Sequence, residues 1–383
     1  GSFSDIVHYI NTDKAIEIII GILSSVVIAF SIGAFVQWVS RVLLSYQFQR
    51  KANWVGAVFA GIALSAISYF ILLKGIKGTP FADQTYGFIG GVTIKDYLET
   101  EVYKVGFINF AFWAILSFVL IQFAKVNIYK VIIGVGTFAL ALAFAGNDLV
   151  NFIGVPIAAW QSYIAWSGSG VDASEFSMGI LANTVETPTL LLFLSGMIMV
   201  ATLWMSKKAR YVADTEINLS REGEAKEKFQ PNFLSRGLVR FSINLSTWAS
   251  SIVPNSLQNK INKRFEKPTL NLSKEKVLQL PAFDMIRASV NLMVAGILIS
   301  IATSYKLPLS TTYVTFMVAM GTSLADRAWG AESAVYRVAG VLNVIAGWFS
   351  TAIIAFIASG VVLSLINFGK GAAIAMLLFA AVL

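Results

Sequence analysis

The sequence predicts an all-α, polytopic transmembrane helical bundle, and three observations carry that expectation. Charged residues make up 13% of the 383 residues, about half the ~25% typical of soluble domains. Hydrophobic residues reach 56%, with a mean hydropathy of +0.71. Several apolar stretches approach or reach the ~20 residues that cross a bilayer as helix, and none alternates polar and apolar positions as a barrel strand does.

The spans follow one another with basic punctuation. A polar lead, GSFSDIVHYINTDKA, holds the single histidine, His8, and lacks the basic region and short apolar core of a cleavable signal. The first apolar run is Ala15–Val39, followed by Arg41, Arg50 and Lys51. Val55–Leu73 comes next, then a segment of balanced charge over 74–104, then Val105–Phe123. Lys125 and Lys130 precede Val131–Ala145, and 166–186 carries Asp172, Glu175 and Glu186 without a base. After Thr189–Met205 the chain turns basic. Segment 206–280 holds 14 Lys/Arg against 7 Asp/Glu and supplies most of the net charge of +8. Basic loops mark the cytoplasmic side, so 206–280 is expected there, with the amino terminus outside and the chain in an inner or plasma membrane. That distribution speaks against nucleic acid as a partner and for the lipid bilayer. Ala288–Thr303 and Val338–Leu363 complete the spans, and the ending GAAIAMLLFAAVL has ~13 apolar residues, too few to cross. These ends suggest a piece of a longer protein.

Within the basic loop, Phe233, Leu234, Leu238, Phe241, Leu245, Trp248 and Ile252 recur at helical spacing beside Arg236 and Arg240. That pattern predicts a helix lying in the membrane interface or packed on the protein's own cytoplasmic face. Pro231, Pro254, Pro268 and Pro281 punctuate the loop.

Two stretches interrupt the apolar background with chemistry. AFAGNDLVNFIGVP, 143–156, places Asn147, Asp148 and Asn151 inside a span. On a helix, Asp148 and Asn151 are i and i+3, and Asn147 and Asn151 are i and i+4, so the three share a face. A carboxylate at that depth costs ~2.5–3.5 kcal/mol even on the lenient insertion scale. Gly146, Gly154 and Pro156 predict a discontinuous helix whose freed carbonyls and carboxylate take Na⁺ or H⁺. The alternative is polar glue between helices. The second stretch, YKLPLSTTYVTF at 305–316, breaks an apolar run at Pro308 and renews it after Ser310, Thr311 and Thr312. Hydroxyls at a helix N-terminus, with its orphan N–H groups and positive dipole end, suit an anion. The alternative is an ordinary Ser/Thr cap at the membrane surface. The run to Asp326 is short enough for a re-entrant hairpin as well as for a full span. Asp284 and Arg287 are expected to pair along one helix turn. Asp326, Arg327, Glu332 and Arg337 are expected at an interfacial turn.

These motifs resemble the inorganic phosphate transporter family (PiT type). GNDLVN is similar to its N-D-x-x-N element and LPLSTT to its P-x-S-T-T hairpin, and the likeness covers roughly 130–365. The resemblance implies two inverted repeats around one site, and cation-coupled phosphate uptake. It implies Asp148 and Asn151 as ligands of the coupling cation, a bound Na⁺ for instance, with Asn147 near the phosphate and Ser310, Thr311 and Thr312 receiving its oxygens. No second N-D-x-x-N or S-T-T element occurs in 1–140, so the other half-site is expected upstream of Gly1. The loop 206–280 also falls between the two motifs of one repeat rather than between repeats.

Charge balance argues for coupling by itself. Phosphate and Asp148 would repel within ~4–6 Å unless Na⁺ intervenes or H⁺ neutralises the acid. The alternatives are a sulfate or other oxyanion permease, or a non-transporting membrane receptor or structural role. No nucleophile–base pair, metal cluster or phosphate-cradling glycine loop suggests an enzyme, and no resident cofactor is expected. A homo-oligomer is open to this reading. The chain divides into spans preceding the motifs (1–130), spans with the broken GNDLVN helix (131–205), the basic loop (206–280), and spans with the LPLSTT hairpin (281–383).

Overall fold

The computed structural model describes residues 12–48, 51–76, 84–87, 90–173, 175–177, 179–182, 187–211, 214, 230–252, 254–266, 284–305, 307–328 and 331–382. His8, Arg50, Glu186, Pro268 and Pro281 lie outside them, as does much of the loop 206–280. Among the described residues there is no strand, only an isolated bridge between Thr85 and Thr93.

Eleven helices are named here: α1 (Thr12–Leu44), α2 (Asn53–Ile76), α3 (Ile94–Thr100), α4 (Val102–Gln122), α5 (Ile128–Ser169), α6 (Thr189–Met205), α7 (Phe233–Ile252), α8 (Asn255–Arg264), α9 (Met285–Ser304), α10 (Thr311–Ala325) and α11 (Ala331–Val382). Six of them, α1, α2, α4, α5, α9 and α11, are long and apolar enough to cross a membrane, and α6 is a shorter apolar helix. Every predicted span falls on one of these seven helices. Ile19, Val27 and Phe35 on α1, and Phe107 and Ile115 on α4, are exposed. Lipid is the solvent that such side chains fit.

The chain forms two compact units, Gly1–Glu222 with Asn255–Ala328, and Gly223–Pro254 with Trp329–Leu383. In the first, α9 is the central element and touches α1, α2, α5 and α10. Its buried face includes Ile286, Val290, Met293, Val294 and Ile299. The pairing of α1 with α10 depends on small residues. A Cβ on Gly321 would lie 2.2 Å from the Phe30 carbonyl oxygen, and one on Gly33 would lie 2.9 Å from that of Val318. Such close backbone approach is how membrane helices gain packing energy without a hydrophobic drive. Polar side chains add interhelical bonds. Thr322 Oγ1 donates to Asn291 Oδ1 at 2.6 Å, joining α10 to α9. Asn109 Nδ2 and Trp113 Nε1 on α4 both donate to Ser68 Oγ on α2, at 3.0 and 2.9 Å.

In the second unit α7 packs on α11. Ser235 and Val239 are buried, while Phe233, Leu234, Leu238, Phe241, Trp248 and Ile252 are exposed. Thus only a narrow stripe of α7 meets protein, and most of the predicted apolar series faces outward. Helix α11 changes direction at Lys370, where φ is 48° and ψ −129°.

One expectation is corrected. Helix α5 runs from Ile128 to Ser169 without a break, and Pro156 sits inside it. Proline removes one N–H and frees the Phe152 carbonyl. Each glycine costs only ~1 kcal/mol of propensity. In a membrane every further unpaired backbone group costs several kcal/mol, so the helix absorbs one lost bond rather than unwinding. At 1.5 Å per residue α5 is ~63 Å long, about twice the hydrocarbon thickness. Trp160, Tyr163 and Trp166 follow Pro156, as suits the far interface.

Candidate functional site

The two sequence motifs meet. Asp148 lies midway along α5, and Ser310, Thr311 and Thr312 occupy the N-cap and first two positions of α10. Thr311 Oγ1 donates to Asp148 Oδ1 at 3.0 Å, with Oδ2 3.2 Å away, across 163 positions of sequence. Asn147 Nδ2 donates to Asp148 Oδ1 at 3.1 Å. Thr311 is buried, whereas Asn147 and Asp148 are half-buried and Asn151 is exposed.

Beside this pair lies a cavity of about 400 Å³. Its walls include Ile18 and Ile22 of α1, Asn147 and Asn151 of α5, Thr303 of α9 and Pro308 of the α9–α10 connection. Asn147 and Asn151 therefore line one space one helical turn apart, as their spacing requires. Ser310 and Thr312 are half-buried at the helix start. The structure brings Asn147, Asp148, Asn151 and Thr311 together around the site. It places Ser310 and Thr312 one residue either side of Thr311 on the backbone.

The geometry explains why α10 begins here. Pro308 cannot extend α9, and Ser310 has extended dihedrals (φ −105°, ψ 123°) and caps without a side-chain hydrogen bond. The N–H groups of the first turn are those a helix leaves unpaired. At 15 residues, α10 is ~22 Å long, shorter than a span.

In chemical terms the site offers oxygen. The Asp148 carboxylate, the Thr311 hydroxyl, and the Asn147 and Asn151 amides are hard donors suited to an alkali cation or a proton. Among the described residues no Lys or Arg lines the cavity, so an oxyanion there would draw on the α10 N-terminus and on accompanying cations. The Thr311 hydroxyl donates its proton to Asp148.

Sequence reasoning missed three features. Thr303, Ile18 and Ile22 complete the cavity walls, and a lone Thr in the last turn of an apolar helix gave no signal. Gly21 permits the approach: a Cβ there would stand 2.7 Å from Pro308 Cγ. The third is a buried charge cluster toward the opposite ends of α1 and α10. Arg41 Nε and Nη2 donate to the two oxygens of Asp326, each at 2.6 Å, and Nη2 also reaches Asp284 Oδ2. Asp284 Oδ1 caps α9 by accepting from the Arg287 backbone N–H at 2.8 Å. Burial holds the Asp284 carboxyl above its usual range, against the pull of Arg41. Arg287 Nε lies 4.0 Å from Asp326 Oδ2.

One expectation is thereby corrected: the Asp284 side chain pairs with Arg41 and accepts from the Arg287 backbone N–H, where a pair with the Arg287 guanidinium was expected. Asp326, expected at a turn, is wholly buried, with a guanidinium from another helix neutralising it. Because Asp284 begins α9 and Asp326 ends α10, both feet of the α9–α10 hairpin stand on Arg41.

Among the described residues no three His, Asp or Glu side chains converge as a metal site. Comparison of the chain with known families, with curated proteins and with solved structures finds no match.

Proposed function

We propose that the chain is part of a cation-coupled inorganic phosphate symporter of the inner or plasma membrane, working by alternating access. The observation that carries the reading is the Thr311–Asp148 hydrogen bond beside a cavity. It joins the acid of one motif to the helix N-terminus of the other. A carboxylate within a span whose partners among the described residues are neutral suits a coupling cation, Na⁺ or H⁺, and the α10 N-terminus suits the anion it accompanies.

In this reading the run from Pro308 to Asp326, which holds α10, is a re-entrant hairpin within one of two inverted repeats, and the basic loop 206–280 lies in the cytoplasm. Asp148 and Asn151 take the cation. Asn147 and the first turn of α10, Ser310 to Thr312, take the phosphate once the cation has drawn Asp148 away from Thr311. Cation and anion then enter together because neither is neutralised without the other. A sulfate permease has less support, since sulfate cannot donate a proton to Asp148 as a protonated phosphate can.

The test is labelled phosphate uptake by the full-length protein in proteoliposomes, under a Na⁺ gradient, a H⁺ gradient or neither, with excess unlabelled sulfate. Gradient-driven uptake that resists sulfate is expected, and Asp148→Asn is expected to lower it at least ~100-fold. Uptake that ignores both gradients, or that Asp148→Asn leaves intact, removes Asp148 from the mechanism.

A further inference from the structure

A second polar space lies where α1 ends and α2 begins. It is a cleft of about 580 Å³ lined by Ser45, Tyr46, Gln47 and Lys51 on one side and by Lys260, Lys263, Arg264 and Glu266 on the other. Four cations thus face one carboxylate across a shared space. Like charges so grouped repel, and a loop free to move would spread them.

Here the backbone does not let them spread. Arg327, just beyond α10, donates to Asn262 Oδ1 at 2.9 Å, and its guanidinium lies 4.8 Å from the Phe265 ring centre. Phe265 itself is buried. Helix α8 is therefore fastened through Asn262 and Phe265, and its Lys260, Lys263 and Arg264 are held against the α1–α2 connection.

The level of the cleft narrows its ligand. Trp38, Leu43 and Trp54 flank the lining residues in sequence and are exposed, as expected of a helix end at the polar boundary of a bilayer. A cleft with clustered ammonium and guanidinium groups, a hydroxyl at Ser45 and an amide at Gln47 matches the oxygens of a phosphate ester. We infer that this cleft binds a phosphate-bearing anion, either the headgroup of an anionic phospholipid or phosphate from solution. The inference stands on the membrane-spanning reading and not on phosphate transport.

Binding here bears on the buried charge cluster. The Tyr46 ring lies 3.8 Å from the Arg41 guanidinium carbon, and its hydroxyl donates to the Asp326 carbonyl at 3.1 Å. An anion in the cleft therefore holds Tyr46 over Arg41 and stabilises the native state, as any ligand specific to that state does.

The experiment follows thermal unfolding of the full chain in a neutral detergent at fixed ionic strength. The probes are dioctanoyl phosphatidylglycerol, dioctanoyl phosphatidylcholine and inorganic phosphate. Phosphatidylglycerol is expected to raise Tm by several degrees and phosphatidylcholine to leave it unchanged. The variant Lys260→Gln/Lys263→Gln/Arg264→Gln is expected to need at least tenfold more phosphatidylglycerol for the same shift. Lys51→Gln on the opposite wall should weaken the response in the same direction if the triple variant folds poorly. Lys207→Gln/Lys208→Gln should not alter it. If inorganic phosphate alone gives the variant-sensitive shift, the occupant comes from solution and the proposal holds in that form. A phosphate response kept by the triple variant but lost in Thr311→Val belongs to the Asp148–Thr311 cavity and counts against the cleft. Responses that the cleft variants leave unchanged, or equal responses to the two lipids, overturn the proposal.

Discussion

Two polar sites mark the α1–α10 pairing, and they handle buried charge in opposite ways. Around Arg41 the charges neutralise one another: a guanidinium and Asp326, both fully buried, are joined by two hydrogen bonds, with Asp284 as a third member. Around Asp148 the partners found among the described residues, Thr311 and Asn147, are neutral, and Asn147 lines the neighbouring cavity. A protein that needed only to stabilise its helices would pair Asp148 with a base, as it does Asp326. Asp148 is half-buried with neutral partners among the described residues, the arrangement expected if its counter-charge is the coupling cation proposed above. The contrast separates a fastening from a binding site more sharply than either site does alone.

The largest expected effect tests the fastening. Arg41→Met strips Asp326 of its two short hydrogen bonds and leaves it the Arg287 guanidinium at 4.0 Å, which should cost about 3 kcal/mol. Adding Asp326→Leu should recover most of that loss, because an apolar pair of similar volume often replaces a buried ion pair without penalty. Chemical unfolding in detergent reads both. A single variant that loses less than about 1 kcal/mol would mean that Asp326 finds water or another partner, and the contrast with Asp148 would collapse.

The packing between the two sites comes next. Gly321→Ala puts a methyl group 2.2 Å from a backbone oxygen, which a helix cannot yield without moving. Overpacking of this kind should cost about 3 kcal/mol. Gly134→Ala on α5, with nothing within 4 Å of the added atom, should be neutral or slightly stabilising. Equal thermal shifts for the two would show that the α1–α10 approach is not the close one described here.

At the binding site the effect on stability should be smaller. Thr311→Val removes the hydroxyl that donates to Asp148 and should cost about 1.5 kcal/mol, the lower end for a hydrogen bond to a charged group. Thr311→Ser should restore it. The cation affinity of the two variants separates the roles. If Thr311 only glues helices, Val lowers stability and leaves cation binding alone. If it is part of the site, binding falls in Val and returns in Ser.

How much of this was legible in the sequence follows from the range of each signal. The spans were legible because insertion into lipid depends on composition over ~20 residues, and every predicted span lies on a helix. The start of α10 was legible because Pro308 and the STT triplet are local signals. The face shared by Asn147 and Asn151 was legible from helical spacing. The break in α5 was predicted and is not there, since local propensity at Gly146, Gly154 and Pro156 competes with a backbone that has no water to satisfy it. Arg41 with Asp326 was not legible, because a pair 285 positions apart leaves no trace in spacing. Charge patterning assigned Arg41 to a loop and Asp326 to an interface, where each would have belonged without the other. The same limit hid Thr303, Ile18 and Ile22, whose only signal is their position around a cavity.

Gly21 offers the finest test of the contrast. It lies among isoleucines on α1, where nothing local calls for glycine, and its absent side chain is what lets Pro308 sit against the helix. Gly21→Ala sets a methyl group 2.7 Å from Pro308 Cγ and 3.3 Å from the Pro308 carbonyl oxygen. Because Pro308 belongs to a connection rather than a helix, the chain can shift by a few tenths of an ångström, and the loss of stability should be about 1 kcal/mol or less. That shift passes to Ser310 and Thr311 two and three residues on, and so to the Thr311–Asp148 distance. The Arg41 cluster lies about 20 residues along α1, ~30 Å away, and should not register it. Cation or phosphate binding should therefore fall severalfold in Gly21→Ala while the energy recovered by the Arg41→Met/Asp326→Leu pair stays the same. If binding and that recovery change together, the two ends of the α1–α10 pairing are one cooperative element. If binding does not move, Pro308 does not position the first turn of α10.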